Sequence, residues 1–99
     1  MSTEDVIEPE LPICDAHHHL WHRDGQRYLL DELLADTGQT DARGARHDVR
    51  STVFVECASM YRAGGPAALR PLGETEFVNG IAAMSASGGF GTTRVAAGI

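Results

Sequence analysis

Residues 11–19 read Leu-Pro-Ile-Cys-Asp-Ala-His-His-His, a short apolar run that ends in three consecutive histidines. In an extended strand successive side chains alternate between the two faces, so Asp15, His17 and His19 share one face while His18 points to the other. Two imidazoles on one face can turn toward a common point and bind one divalent metal ion. The stretch therefore predicts a strand that presents a histidine pair suited to a metal ion.

The rest of the chain alternates between strand and helix patterns. Residues 52–57 are rich in β-branched and aromatic side chains, and their nearly continuous apolar character indicates a parallel strand covered on both faces. Leucines at helical spacing in residues 29–34 predict one helix, and an apolar stripe predicts a second from about Glu74 to Gly88-Gly89. Residues 94–99 begin a third strand. This order predicts a parallel α/β sheet.

Composition and charge exclude several classes of protein. The chain has 99 residues, at most one ordinary domain, and a formal charge of −6. All of its basic residues other than histidine are arginines. Nucleic acids and anionic membrane surfaces require basic patches, so we expect neither as a partner. No apolar run approaches the roughly 20 residues that span a bilayer.

The N-terminal residues and the two cysteines indicate the cellular compartment of the protein. Residues 1–10 carry four acids, no base and no apolar segment of the signal-peptide type, so we expect a disordered acidic lead-in. Cys14 and Cys57 are far apart and form no CxxC pair, and both fall at strand-like positions. A reduced, cytoplasmic compartment is the simpler interpretation.

The run of residues 13–21 resembles the opening strand of the amidohydrolase-related family, which comprises metal-dependent hydrolases of TIM-barrel fold. Residues 53–57, 59–62 and 73–78 are similar to the second strand, the following loop and the helix of that family. The segments occur in the family's order, and the resemblance covers nearly all of residues 11–99. It implies an α/β fold that is the N-terminal part, about strands 1–3, of a (β/α)8 barrel.

A whole barrel of this type needs about 250 residues or more. We therefore expect residues 11–99 to form a partial, incomplete barrel domain that is truncated at the third strand, where Gly98-Ile99 ends the sequence.

The resemblance also implies a chemistry. His17 and His19 match the metal ligands of the family's first strand, and the ion would be divalent, Zn²⁺ for preference. Such an ion activates water for attack on a carbonyl carbon. Implied substrates are small carbonyl compounds, namely a lactone, an amide or a carboxylated ring-cleavage product, and a decarboxylase of the same family fits as well. The catalytic acid or base would come from later strands, so no catalytic residue is predicted within this chain.

Five further residues are candidates for substrate contact or for orienting the histidines: Asp15, Trp21, Glu56, Tyr61 and Arg62. Asp15 is either a buried structural acid or a partner that orients the imidazoles. Trp21 either lines the pocket or fills apolar space. Glu56 is the one acid in an apolar strand and needs a partner, so it either contacts or supports the active site at the carboxyl end of that strand or forms a structural salt bridge. Arg62 suits a substrate carboxylate, although exposed loop arginines are common.

An alternative prediction belongs to another class. The chain would be a catalytically inactive, truncated βαβαβ fragment with exposed strand edges, which aggregates or associates with another chain. A small metal-binding module built on residues 17–19 and His22 is less well supported, because no thiolate pair or second histidine pair stands at ligand spacing. The oligomeric state stays open.

Overall fold

A computed structural model describes residues 4–99 and places two helices and five strands in that range. In chain order the elements are β1 (Pro12–His18), β2 (Trp21–Arg23), β3 (Gln26–Tyr28), α1 (Leu30–Thr37), β4 (Asp48–Phe54), α2 (Leu72–Ala86) and β5 (Arg94–Gly98). A short 3-10 helix at Ala67–Leu69 precedes α2. Both predicted helices and the three predicted strands are therefore present.

The main sheet has the strand order β1-β4-β5, and both pairings are parallel. The predicted mixed α/β class with a parallel sheet is confirmed. Within residues 4–99 the sheet is open and closes into no barrel, so the expected membership of a TIM barrel stays a prediction.

A two-stranded antiparallel hairpin, β2 with β3, lies outside that sheet and was not predicted. Arg23 pairs with Gln26 across a two-residue turn made of Asp24 and Gly25, both with positive φ (52° and 74°). Asp-Gly is a strong signal for this kind of tight turn, because a type I′ turn needs positive φ at both central positions. The signal was present in the sequence, but the flanking residues are too polar to show a strand pattern.

The hydrophobic core joins both helices to the main sheet. Both helices contribute to a single buried cluster together with β4, β5 and the residue that follows the histidines; its members are Leu20, Leu30, Leu33, Phe54, Val78, Ile81, Val95 and Ala96. Thr52 and Phe54 are buried, whereas Val53 and Val55 are only partly buried. The prediction of a β4 strand covered on both faces is therefore wrong. One face is covered, and the other is partly open.

Strand β4 begins earlier and ends earlier than its apolar run suggests. Pairing with β1 starts at Pro12 opposite Asp48, so backbone hydrogen bonding includes polar residues that the pattern assigned to a connection. The strand ends at Phe54. Glu56 and Cys57 therefore lie in the loop beyond β4 rather than in the strand.

The longer helix, α2, has 15 residues. Neither helix in residues 4–99 has the length and apolar character needed to cross a membrane.

The predicted disordered lead-in covers residues 1–10, and residues 1–3 lie outside the described part of the chain. Within the remainder, Val6 is only 7% exposed, and its N–H donates to Asp41 Oδ2 at 2.9 Å. Asp41 Oδ1 also accepts the N–H groups of Arg43 and Ala45, at 2.8 and 3.0 Å. One carboxylate thus joins the N-terminal segment to the loop before β4.

These hydrogen bonds, the one from Val6 first among them, lower the pKa of Asp41 from 3.8 to about 2. A folded-state pKa below the unfolded value means that the stabilisation is present above the unfolded pKa and is lost as the pH falls through the folded one. We expect Asp41→Asn to lower the midpoint of thermal unfolding at pH 7, since the amide has one acceptor oxygen in place of two.

The difference between the wild-type protein and Asp41→Asn should shrink as the pH falls from about 4 to about 2. Thermal unfolding followed by circular dichroism at several pH values measures this difference in midpoint temperature. A difference that stays constant over this range would contradict the assigned role of the carboxylate.

Candidate metal-binding site

His17 and His19 face each other at the carboxyl end of β1. Their Nε2 atoms are 3.1 Å apart, and the two rings meet edge to face with centroids 4.9 Å apart. Two Zn–N bonds of about 2.0–2.1 Å, at tetrahedral or octahedral angles, place their nitrogens roughly 2.9–3.4 Å apart. The two Nε2 atoms therefore converge at the spacing that one metal ion requires.

The protonation of His19 follows from its second ring nitrogen. His19 Nδ1 lies 2.7 Å from the carbonyl oxygen of Val55, just beyond the end of β4. A carbonyl oxygen only accepts, so Nδ1 carries the hydrogen and Nε2 of the neutral ring keeps its lone pair. Metal-binding histidines commonly use such a backbone hydrogen bond to fix the ring. His19 is thus oriented with its free lone pair toward His17.

In the neutral pair, His17 Nε2 donates a hydrogen to His19 Nε2. A metal ion held by both Nε2 atoms would replace this hydrogen bond, and the hydrogen of the His17 ring would then be on Nδ1. The donor set fits Zn²⁺, which binds neutral imidazole nitrogens. Among residues 4–99, no group of three or more His, Cys, Asp or Glu side chains is arranged to hold one metal ion. The pair therefore offers two protein ligands.

Asp15 acts on the backbone of this segment. Its Oδ1 accepts the N–H of His17 at 3.2 Å, and its side chain is partly buried. The pairing of β1 with β4 loses its regular register between Asp15 and His18. The structure therefore places Asp15 neither in a buried acid position nor in hydrogen-bond contact with an imidazole. It helps to set the backbone from which His17 projects.

His18 lies on the opposite side from the pair, as the alternation predicts. It is 6% exposed, its Nε2 lies 2.9 Å from Thr52 Oγ1, and its ring packs edge to face on Phe54. The N–H of Ala96 donates to the same Thr52 hydroxyl, so this contact joins all three strands of the sheet. Burial lowers the pKa of His18 and favours its neutral form. Its role is packing.

A shallow cleft of about 350 Å³ adjoins the histidine pair; it is lined by His19, Trp21, Arg23, Asp24, Gln26 and Cys57. The Trp21 ring stacks on Tyr28 with centroids 5.3 Å apart. Burial, followed by the nearby Glu74 carboxylate, raises the pKa of the Cys57 thiol. Trp21 thus forms part of a cleft wall next to a candidate ligand.

The other three candidate residues do not line this cleft. Glu56 is exposed beyond the end of β4, and Tyr61 is 43% exposed. Arg62 Nε donates to Glu76 Oε1 at 2.8 Å, an exposed ion pair of small energetic weight. The guanidinium predicted to bind a substrate carboxylate therefore already has a carboxylate partner within the chain.

Glu74 is the residue near the site whose contacts the sequence did not indicate. The sequence pattern places it only at the approximate start of a helix, yet it is 5% exposed and its Oε2 accepts the N–H groups of Cys57 and Ser59, at 3.0 and 2.9 Å. These two bonds attach the loop after β4 to the first turn of α2. The only indication in the sequence is a Glu directly after Gly73 at the start of a helix. It does not show which loop the carboxylate contacts.

The same loop also approaches Gly73 closely. A Cβ built on Gly73 would lie 2.5 Å from the carbonyl oxygen of Met60 and 2.6 Å from the nitrogen of Arg62. Ala58 and Met60 both have positive φ, 60° and 56°. A small residue at the helix start and two left-handed residues therefore fix the path of the loop that carries Cys57.

Comparisons of this chain with protein-family models, with curated proteins and with solved structures find no match. The resemblance to the amidohydrolase-related family thus has no support beyond the residues that carry it, and the functional argument depends on the geometry of the histidine pair.

Replacing glycine by alanine at two positions of α2 tests the packing of the loop. Gly73→Ala should destabilise the protein by about 1–3 kcal/mol, because backbone atoms of the loop must move. Gly80→Ala, where nothing lies within 4 Å of the added methyl group, should stabilise it by about 0.5–1 kcal/mol. Urea unfolding measures the change in the free energy of unfolding for each variant. Equal effects of the same sign would show that the loop is not packed on Gly73.

Proposed function

We propose that the chain binds one divalent metal ion, Zn²⁺ for preference, through His17 Nε2 and His19 Nε2, and that this ion serves the hydrolysis of a small carbonyl substrate. The observation that carries the proposal is the convergence of the two Nε2 atoms at 3.1 Å while His19 Nδ1 is held by the Val55 carbonyl. When bound, such an ion supplies an activated water molecule and polarises a carbonyl oxygen.

The residues of this chain contribute orientation and shape to that function. The Val55 carbonyl fixes the ring and the tautomer of His19, and Asp15 holds the N–H of His17. The adjoining cleft offers room for a small substrate beside His19. Catalytic zinc sites generally have three protein ligands and one open position. Two of them are assigned here, and the hydrolytic acid or base is assigned to no residue of 4–99.

The nature of the substrate follows only from the resemblance. Residues 13–21 resemble the first strand of hydrolases that open lactones or cleave amides, and some members of that family act on carboxylated ring-cleavage products or decarboxylate them. Hydrolysis is the reaction for which two imidazole ligands beside a solvent-accessible cleft are best suited. We therefore place lactone or amide hydrolysis ahead of decarboxylation.

Metal titration tests the binding part of the proposal. Calorimetry of the metal-free protein with Zn²⁺ should show one ion per chain, and the double variant His17→Ala/His19→Ala should bind at least about tenfold more weakly. The matched control is His22→Ala/His47→Ala, which removes two exposed histidines outside the pair. Equal Zn²⁺ affinity of the two double variants would rule out the site.

Activity tests the second part. The Zn²⁺-loaded protein should open an aromatic lactone such as dihydrocoumarin faster than the same concentration of free Zn²⁺ does, because the protein holds the ion beside a cleft. Chelation with EDTA, or the His17→Ala/His19→Ala change, should return the rate to that of the buffer. Rates that do not differ between the wild-type protein and this variant would contradict a hydrolytic role.

A second candidate function is association with another chain without catalysis. It is favoured by the open sheet: within residues 4–99, β1 and β5 each pair along one edge only, and Val53 and Val55 are partly exposed. Unpaired strand edges are templates for pairing with further chains. Stoichiometric Zn²⁺ binding without lactone hydrolysis would favour a metal-containing interaction module of this kind.

A further inference from the structure

Arg23, at the end of β2, lines the cleft beside His19. One N–H of its guanidinium donates to the carbonyl oxygen of Cys57 at 2.8 Å. A guanidinium has five N–H donors, so most of them are left for other acceptors. Within residues 4–99 Arg23 forms no ion pair with a carboxylate, unlike four other arginines: Arg27, Arg43, Arg50 and Arg62. The cleft thus contains a positively charged guanidinium group with N–H donors that are free to bind a ligand.

The wall of the cleft beside this charge includes one large aromatic side chain, Trp21. The Trp21 indole is nearly parallel to the Tyr28 ring, at an interplanar angle of 24°, and this stacking fixes its orientation. Aromatic rings favour flat ligand surfaces that stack or pack against them. A ligand that contacts both Trp21 and Arg23 therefore has a flat apolar body and an anionic end.

Because the other charges near the cleft are negative, the binding of an anion depends on Arg23. Asp24 also lines the cleft, and the chain as a whole carries a formal charge of −6. The general field thus opposes an anion, and only a direct, hydrogen-bonded contact offsets it. A planar carboxylate matches the guanidinium fork, which can donate two parallel hydrogen bonds.

We propose that Arg23 is the specificity-determining residue of this cleft and binds the carboxylate of a small planar ligand whose body lies against Trp21. The inference rests on the proposed function for the claim that this ligand is the substrate class. The binding itself needs no metal ion, since neither Arg23 nor Trp21 belongs to the histidine pair. This separates the two claims experimentally.

Trp21 is the only tryptophan of the chain, so its fluorescence reports on this cleft. We expect benzoate, added to the full chain in EDTA, to cause a saturable change in Trp21 emission. Benzamide, which has the same shape without the charge, should bind at least about tenfold more weakly. Equal binding of benzoate and benzamide, or no saturable change with benzoate, would overturn the proposal.

Variants identify the residue responsible. Arg23→Gln should weaken benzoate binding about tenfold or more, and Arg23→Lys, which keeps the charge but not the fork, should weaken it less. The control Arg50→Gln makes the same change of net charge at the amino end of β4 and should leave the affinity unchanged. Asp24→Asn should strengthen binding, because it removes a like charge. Benzoate affinity that is the same in Arg23→Gln and Arg50→Gln would contradict the assignment.

The two proposals can fail independently. Benzoate binding in EDTA together with no Zn²⁺ binding would refute the metal site and leave the role of Arg23 supported. Zn²⁺ binding through His17 and His19 together with no charge-selective benzoate binding would refute Arg23 alone.

Discussion

The junction between β1 and β4 determines both the core and the candidate site. The N–H of Val55 donates to the carbonyl of His18 at 2.9 Å, and the Val55 carbonyl accepts the hydrogen of His19 Nδ1 at 2.7 Å. One peptide segment after β4 therefore extends the parallel pairing and fixes the ring of a candidate metal ligand. The register of two strands and the direction of one imidazole lone pair are set together, so a shift in register would disturb both.

Because side chains alternate along a strand, three identical residues in succession have three different environments. His17 is exposed, His18 is buried against Thr52 and Phe54, and His19 is partly buried with one nitrogen bonded to the backbone. A slip of one residue would exchange the faces and place His18 on the side of the site. The contact of His18 with Thr52, whose hydroxyl also accepts from Ala96 of β5, opposes that slip because it links the three strands of the sheet.

Much of this arrangement could be predicted from short-range patterns. The alternation within residues 17–19 separates His18 from the pair, and the order of strand and helix patterns predicts the parallel sheet. The contacts that complete the site depend on distant parts of the chain. Glu74 lies 17 positions from the Cys57 N–H that it accepts, and Arg23 reaches the Cys57 carbonyl from a hairpin with no apolar pattern. The spacing of residues along the sequence predicts neither of these contacts with Cys57, because the path of the loop depends on close packing at Gly73.

The central claim is that one divalent ion is held by the Nε2 atoms of His17 and His19. Long-range ¹H–¹⁵N NMR of the histidine rings, recorded before and after one equivalent of Zn²⁺, tests it most directly because it resolves each ring nitrogen. We expect the Nε2 resonances of these two residues to shift together, with His19 Nδ1 remaining protonated and the rings of His18, His22 and His47 unchanged. A shift confined to the last three histidines, or coordination of His19 through Nδ1, would contradict the account.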